Sequence, residues 1–170
     1  MSTRYLVRGA LLVALALVLQ SLRLVLPLPP LVSTFIIGTL VHMMLALTLR
    51  VNGLPAALLL SVLLPVTAYL QGQLLLPVLV PVVWLGNSVF VVLLRRLAQR
   101  ELLQTLLPPV GKACVMLGAA WGVIMLLGLT EPAMRKTVLF AMSVPQLVTG
   151  VAGLLLARKV YDALLKRNIC

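Results

Sequence analysis

Acidic side chains are almost missing from this sequence. Its 170 residues include three acids, Glu101, Glu131 and Asp162, and a single histidine, His42. A proton-coupled transporter needs a carboxylate or histidine relay inside the membrane, and a metal-dependent membrane enzyme needs clustered Asp, Glu or His ligands. The three acids fall in expected loops and tails. His42 stands alone beside Met43 and Met44, where a neutral imidazole bonded to a neighbouring helix accounts for it. No metal site and no cofactor is expected. Ser33, Ser61, Ser88 and Ser143 lack a GxSxG setting and a matched histidine. No glycine-rich loop is arranged to cradle phosphate, which speaks against ATP hydrolysis and against catalysis by this chain alone. The two cysteines, Cys114 and Cys170, form no CxxC pair and read as ordinary reduced thiols on or near a cytoplasmic face.

Apolar residues fill the space that charges leave. Sixty-two percent of the chain is hydrophobic and 10% is charged, outside the range of soluble domains. A chain of this length holds about six spans of roughly 20 residues each. The expected fold is therefore an all-α integral membrane protein, one six-helix domain over residues 1–170. A net charge of +11 would suggest nucleic acid in a soluble protein, but here the charges sit where topology needs them, and no nucleic-acid partner is expected.

The distribution of lysine and arginine alternates. Of 14 such residues, Arg4, Arg8, Arg50, Arg95, Arg96, Arg100, Lys112, Arg158, Lys159, Lys166 and Arg167 fall in alternate gaps between apolar segments. The other gaps hold Arg23, Arg135 and Lys136. Basic residues in short loops stay on the cytoplasmic side, so both termini are expected inside, where the charges can also meet anionic headgroups. No cleavable signal peptide is expected, because no small-residue cleavage site ends the first apolar stretch.

Helix one is expected over about 6–26, ending at Pro27-Leu28-Pro29-Pro30, since proline lacks a donor and blocks continuation. Helix two covers about 31–49 and stops at the Arg50-Val51-Asn52-Gly53 turn. Helix three covers 54–70, with Pro55 in its first turn and Pro65 as a kink. Helix four covers about 74–94. Residues 95–111 read as an inner, interfacial amphipathic segment ending at Pro108-Pro109. Helix five covers 113–129 and helix six 137–157, with an inner tail beyond it. Cys114, Gly118 and Gly122 form a small-residue stripe suited to close helix packing, read as internal to the bundle.

Neutral polar and aromatic residues collect in the expected outer halves of the helices. Gln20 and Arg23 close helix one, Tyr69 and Gln73 flank the Gln71-Gly72 turn, and Trp84 and Asn87 lie in helix four. Glu131 is in the last outer loop, and Gln146 with Thr149 is in helix six. An unpaired amide in hydrocarbon is costly, so Asn87 and Gln146 must face protein or a cavity. Amides and indoles can bind a small ligand through hydrogen bonds and stacking, and Arg23 can pair with a carboxylate or phosphate. The candidate substrate site is Gln20, Arg23, Tyr69, Gln73, Trp84, Asn87, Glu131 and Gln146.

The six-helix plan with both ends inside resembles the S component, the substrate-binding membrane subunit, of an energy-coupling factor (ECF) transporter. The helix-one run Arg8-Gly9-Ala10-Leu11-Leu12-Val13-Ala14-Leu15-Ala16 is similar to the family's AxxxA pattern at Ala10 and Ala14. Trp84-Leu85-Gly86-Asn87 and Pro145-Gln146-Leu147-Val148-Thr149-Gly150 are similar to stretches in members of that family. The resemblance implies capture of a vitamin-like micronutrient from outside a bacterial cytoplasmic membrane. It also implies partners: a transmembrane coupling subunit, met by Ala10 and Ala14, and two cytoplasmic ATPases. The alternative is a non-transporting scaffold subunit of a cell-envelope or morphogenesis complex, which has no need of a water-accessible outer pocket.

Overall fold

The computed structural model describes residues 3–74, 76–128 and 130–166, and among these it is all helical, with no strand. Leu129, Arg167 and Cys170, named above, lie outside the described residues. Five stretches are long and apolar enough to cross a membrane: Thr3–Val25, Pro30–Leu70, Leu79–Arg96, Glu101–Leu126 and Pro132–Lys166. The first, α1 (Thr3–Val25), ends where the proline-rich loop begins, and Pro30 then opens α2 in its first turn.

The helix α2 (Pro30–Leu70) has 41 residues, which at 1.5 Å per residue is about 60 Å, roughly twice the hydrocarbon thickness. It is two arms. Gly53 breaks it at φ 74°, ψ −175°, a region open essentially to glycine alone, and Pro55 sits where the second arm begins and no donor is needed. The arms fold back on each other, as their bonds to α1 require. Asn52, at the break, donates to the Tyr5 carbonyl (2.8 Å) and Tyr5 Oη donates to the Asn52 carbonyl (2.6 Å), at the start of α1. Thr34 and Gln71, at the two far ends of α2, instead bond Arg23 and Ser21 at the end of α1.

The helix α3 (Leu79–Arg96) starts later than the expected residue 74, after a turn at Pro77 and Val78 in which the Leu79 and Val80 N–H groups donate to the Leu76 and Pro77 carbonyls. The next helix corrects a larger expectation. Glu101–Leu126 is one 26-residue helix, α4, with Pro108 and Pro109 buried inside it. The amphipathic inner segment and helix five are therefore continuous. Packing holds the proline pair in line: a Cβ added at Gly150 would lie 2.8 Å from Pro109 Cβ, so α6 is seated flat against that turn. Expected helix six divides into α5 (Pro132–Ala141) and α6 (Val144–Lys166). Pro145 lacks the N–H that would bond the Ala141 carbonyl in an unbroken helix, and Gln146 Nε2 donates to that carbonyl instead, at 3.0 Å.

The helix α2 is the centre of the bundle, packed by α1, α3 and α6. Its residues Met43–Leu49 are all buried and form the main core with Ala16, Leu60, Leu64, Phe90, Leu94 and Leu154. A second cluster of Leu79, Val82, Met116, Ile124, Val138 and Met142 joins α3, α4 and α5. By contrast α1 is peripheral, exposing Val7, Ala10, Leu11, Ala14 and Val18 along one face. The Cys114-Gly118-Gly122 stripe also faces away from the bundle: Cys114 is exposed, and a Cβ at either glycine would meet nothing within 4 Å. It is not an internal packing surface within this chain.

Tyr161 of α6 stacks under Arg50 (5.5 Å), and Arg158 donates to the Glu101 carbonyl (2.9 Å). The start of α1, the Gly53 break, the start of α4 and the end of α6 thus share one end of the bundle. Among the described residues, this basic end carries the arginines and lysines of the alternate gaps, from Arg4 to Lys166, with one exception. Lys112 is not in a gap. It lies 11 residues inside α4 and is 2% exposed.

Candidate functional site

At the end opposite the basic one, a cleft opens among α1, both arms of α2, α3, α4 and α6. Its inner part is a cavity of about 150 Å³ that reaches His42, Asn87 and Lys112. Its outer part is a vestibule of about 780 Å³ bounded by the end of α1, the start of α2, the 71–74 turn and the α5–α6 break. Arg23, Thr34, Gln73, Val83, Pro145 and Gln146 line both, so the two are continuous.

The floor is a polar network held from three helices. Lys112 Nζ donates to Asn87 Oδ1 at 2.7 Å and bonds His42 Nε2 at 2.8 Å. His42 Nδ1 lies 2.7 Å from the Gly38 carbonyl, which can only accept. The hydrogen-bond pattern therefore assigns the proton to Nδ1, leaving Nε2 as a neutral acceptor for the lysine. The imidazole meets Phe90 edge to face, with ring centres 5.0 Å apart. Asn87 is oriented in the same way: its Nδ2 donates to the Ser61 carbonyl at 3.4 Å, which turns Oδ1 toward Lys112. Ser61 is four residues before Pro65, so its carbonyl has lost its usual helical donor. Two prolines, Pro65 and Pro145, thus free two carbonyls, and two amides, Asn87 and Gln146, take them up beside the cleft.

Glycines let the network assemble. A Cβ at Gly86 would overlap Met116 and come within 3.3 Å of Lys112 Cγ, so α3 and α4 approach closely enough for the lysine to reach Asn87. A Cβ at Gly153 would be 2.6 Å from His42 Cβ and 2.7 Å from the Thr39 carbonyl, so α6 lies directly on the histidine's turn.

Toward the mouth, Gln20 is buried and donates to the Leu64 carbonyl at 3.0 Å. Gln71 Nε2 donates to Ser21 Oγ (2.7 Å) and Gln73 Nε2 to Gln71 Oε1 (2.6 Å), and Gln73 lines both parts of the cleft. Arg23 has one long bond, 3.4 Å to Thr34 Oγ1. Among the described residues, no carboxylate lines either part of the cleft.

Of the eight residues named from the sequence, the structure brings Gln20, Arg23, Gln73, Asn87 and Gln146 into this cleft and leaves three outside its lining. Tyr69 and Trp84 are 41% and 42% exposed on the perimeter, where an amphipathic ring suits a membrane interface. Glu131 is exposed at the residue before α5. Ala10 and Ala14 are exposed on α1, remote from the cleft. Sequence reasoning missed Lys112; it read His42 as a neutral imidazole bonded to a neighbouring helix, which the bond to Lys112 of α4 matches, but did not place it in the cleft. A lysine three residues after a proline pair reads as a loop charge, and only the continuity of α4 from Glu101 carries it to the middle of the bundle. No protein-family model, curated protein or solved structure matches the chain.

Proposed function

We propose that this chain is the substrate-capture subunit, of the S-component type, of an ECF transporter in a bacterial cytoplasmic membrane. In this reading the two arms of α2 each cross the bilayer and make six crossings in all. The basic end, with the start of α1 and the end of α6, faces the cytoplasm as the distribution of lysine and arginine requires, and the cleft faces outward.

The observation that carries the proposal is that the cleft is blind. It is open at one end and carries a few polar groups on a mostly apolar lining, while beneath Lys112 and His42 the buried run Met43–Leu49 packs with Phe90, Leu94 and Leu154. A channel needs a path through the bundle, and an envelope scaffold needs no cavity. A binding protein needs a concave site with a few convergent polar groups, which is this arrangement. Release on the cytoplasmic side then requires a rearrangement driven from elsewhere, and a transmembrane coupling subunit with two ATPases supplies that drive. The exposed stripe of Ala10 and Ala14 on α1 suits a sliding contact with such a subunit, because small side chains let helix backbones approach closely.

The orientation and the openness of the cleft are tested together by cysteine labelling. In a background with Cys114 and Cys170 replaced by serine, Thr34→Cys should react with a membrane-impermeant maleimide on intact cells, and Lys159→Cys only after lysis. The reverse pattern, or protection of Thr34→Cys on both sides, contradicts the proposal.

A further inference from the structure

Resting on the reading of the cleft as a small-molecule site, we infer that its ligand is an organic anion whose carboxylate or phosphate oxygen seats on Lys112. The lysine ammonium has three donors. Two are committed to His42 Nε2 and Asn87 Oδ1, and both acceptors are neutral. Their neutrality is built in, because the Gly38 carbonyl fixes the histidine as an acceptor and the Ser61 carbonyl turns the asparagine oxygen inward. The third donor is left for the cavity that Lys112 lines.

A buried ammonium without a counter-charge is costly in a membrane interior, and this chain supplies none. Glu101 begins α4, 11 residues before Lys112 and about 16 Å along the helix axis. Glu131 precedes α5, and Asp162 is near the end of α6. None of the three lines the cleft. The second cation on the path, Arg23, stands at the mouth with most of its five donors unspent, and a planar guanidinium suits a carboxylate or phosphate. Two cations and no acid along one blind cleft repel a cationic ligand and leave a neutral one with an unpaired ammonium at the floor. An anion satisfies both ends. The inner cavity of about 150 Å³ exceeds the 10–15 Å³ or so that a single water needs and accepts an acid group, while the wider vestibule takes the rest of the molecule.

The anionic group could belong to a soluble metabolite or to a lipid headgroup, and the test separates the two sources. Full-length protein in phosphatidylcholine nanodiscs is titrated with acetate, inorganic phosphate, acetamide and methylammonium, and thermal stabilisation is read for wild type and Lys112→Met. The expected result is that acetate or phosphate stabilises wild type at concentrations at least tenfold below those of acetamide or methylammonium, and that Lys112→Met removes the difference. Arg23→Gln, at the rim, should weaken the same response without abolishing it and keeps the test valid if Lys112→Met does not fold. Stabilisation by phosphatidylglycerol nanodiscs that pre-empts the acetate response, again lost in Lys112→Met, keeps the anion and assigns it to a lipid. Equal responses to all four probes, or a response indifferent to Lys112→Met and Arg23→Gln, overturn the inference. The cleft reading fails separately, through the labelling of Thr34→Cys described above.

Discussion

Asn87 holds the floor of the cleft together, and Asn87→Leu should show it quantitatively. The substitution keeps the number of side-chain heavy atoms and removes two hydrogen bonds. One is a 2.7 Å bond from Lys112, and the other is a 3.4 Å bond to the Ser61 carbonyl. A bond to a charged group is worth about 1.5–3 kcal/mol, and orphaning a buried polar group costs roughly 1–3 kcal/mol. The Ser61 bond is long and counts for little, so the expected loss is about 3 kcal/mol. Most of it arises because the leucine leaves the lysine held by His42 alone. Lys112→Met, in contrast, removes a desolvated charge while leaving two neutral acceptors that water in the cleft can reach. Its own cost should be within about 1 kcal/mol of zero. In the double variant the penalty of Asn87→Leu should therefore largely vanish, with a coupling of about 2 kcal/mol. Reversible unfolding in mixed micelles measures the four states of the cycle. Additivity to within about 0.5 kcal/mol would refute the network as drawn.

Three further outcomes follow from the packing and from the break before α6. Gly153→Ala places a Cβ 2.6 Å from His42 Cβ and 2.9 Å from Met43 N and should cost about 1–3 kcal/mol. Gly118→Ala, where nothing lies within 4 Å, should gain up to about 1 kcal/mol from helix propensity; the melting temperatures of the two variants should move in opposite directions. Pro145→Ala restores the donor for the Ala141 carbonyl and releases Gln146, so α5 and α6 should join with little loss of stability, and ligand affinity should fall by roughly tenfold, read by titration calorimetry. Ala14→Trp should abolish uptake in cells while purified protein keeps its affinity, and loss of both together would point to misfolding instead.

The main apolar segments and the polar character of one end were legible in the sequence, because spans and basic flanks are local properties. Gln20, Arg23 and Gln73 could be named because each is a polar residue near one end of an apolar run, and Asn87 and Gln146 because an amide inside such a run must face protein or a cavity. Their partners could not. That Asn87 and Gln146 serve carbonyls freed by Pro65 and Pro145 depends on which helices are neighbours. Lys112 was misplaced because a Pro-Pro pair ordinarily ends a helix. Here Gly150 offers it a flat surface, and α4 runs on. The stripe of Cys114, Gly118 and Gly122 misled for a related reason: spacing shows that small residues share a face, and only the bundle decides where that face points.

Occupation of the blind cleft by a small acidic ligand seated on Lys112 is read out by native mass spectrometry of protein released from its own membrane. Wild type should retain a bound species that dissociates as an anion, and Lys112→Met, equally folded, should lack it. Identical spectra from the two proteins, whether both empty or both carrying the same adduct, would contradict the claim.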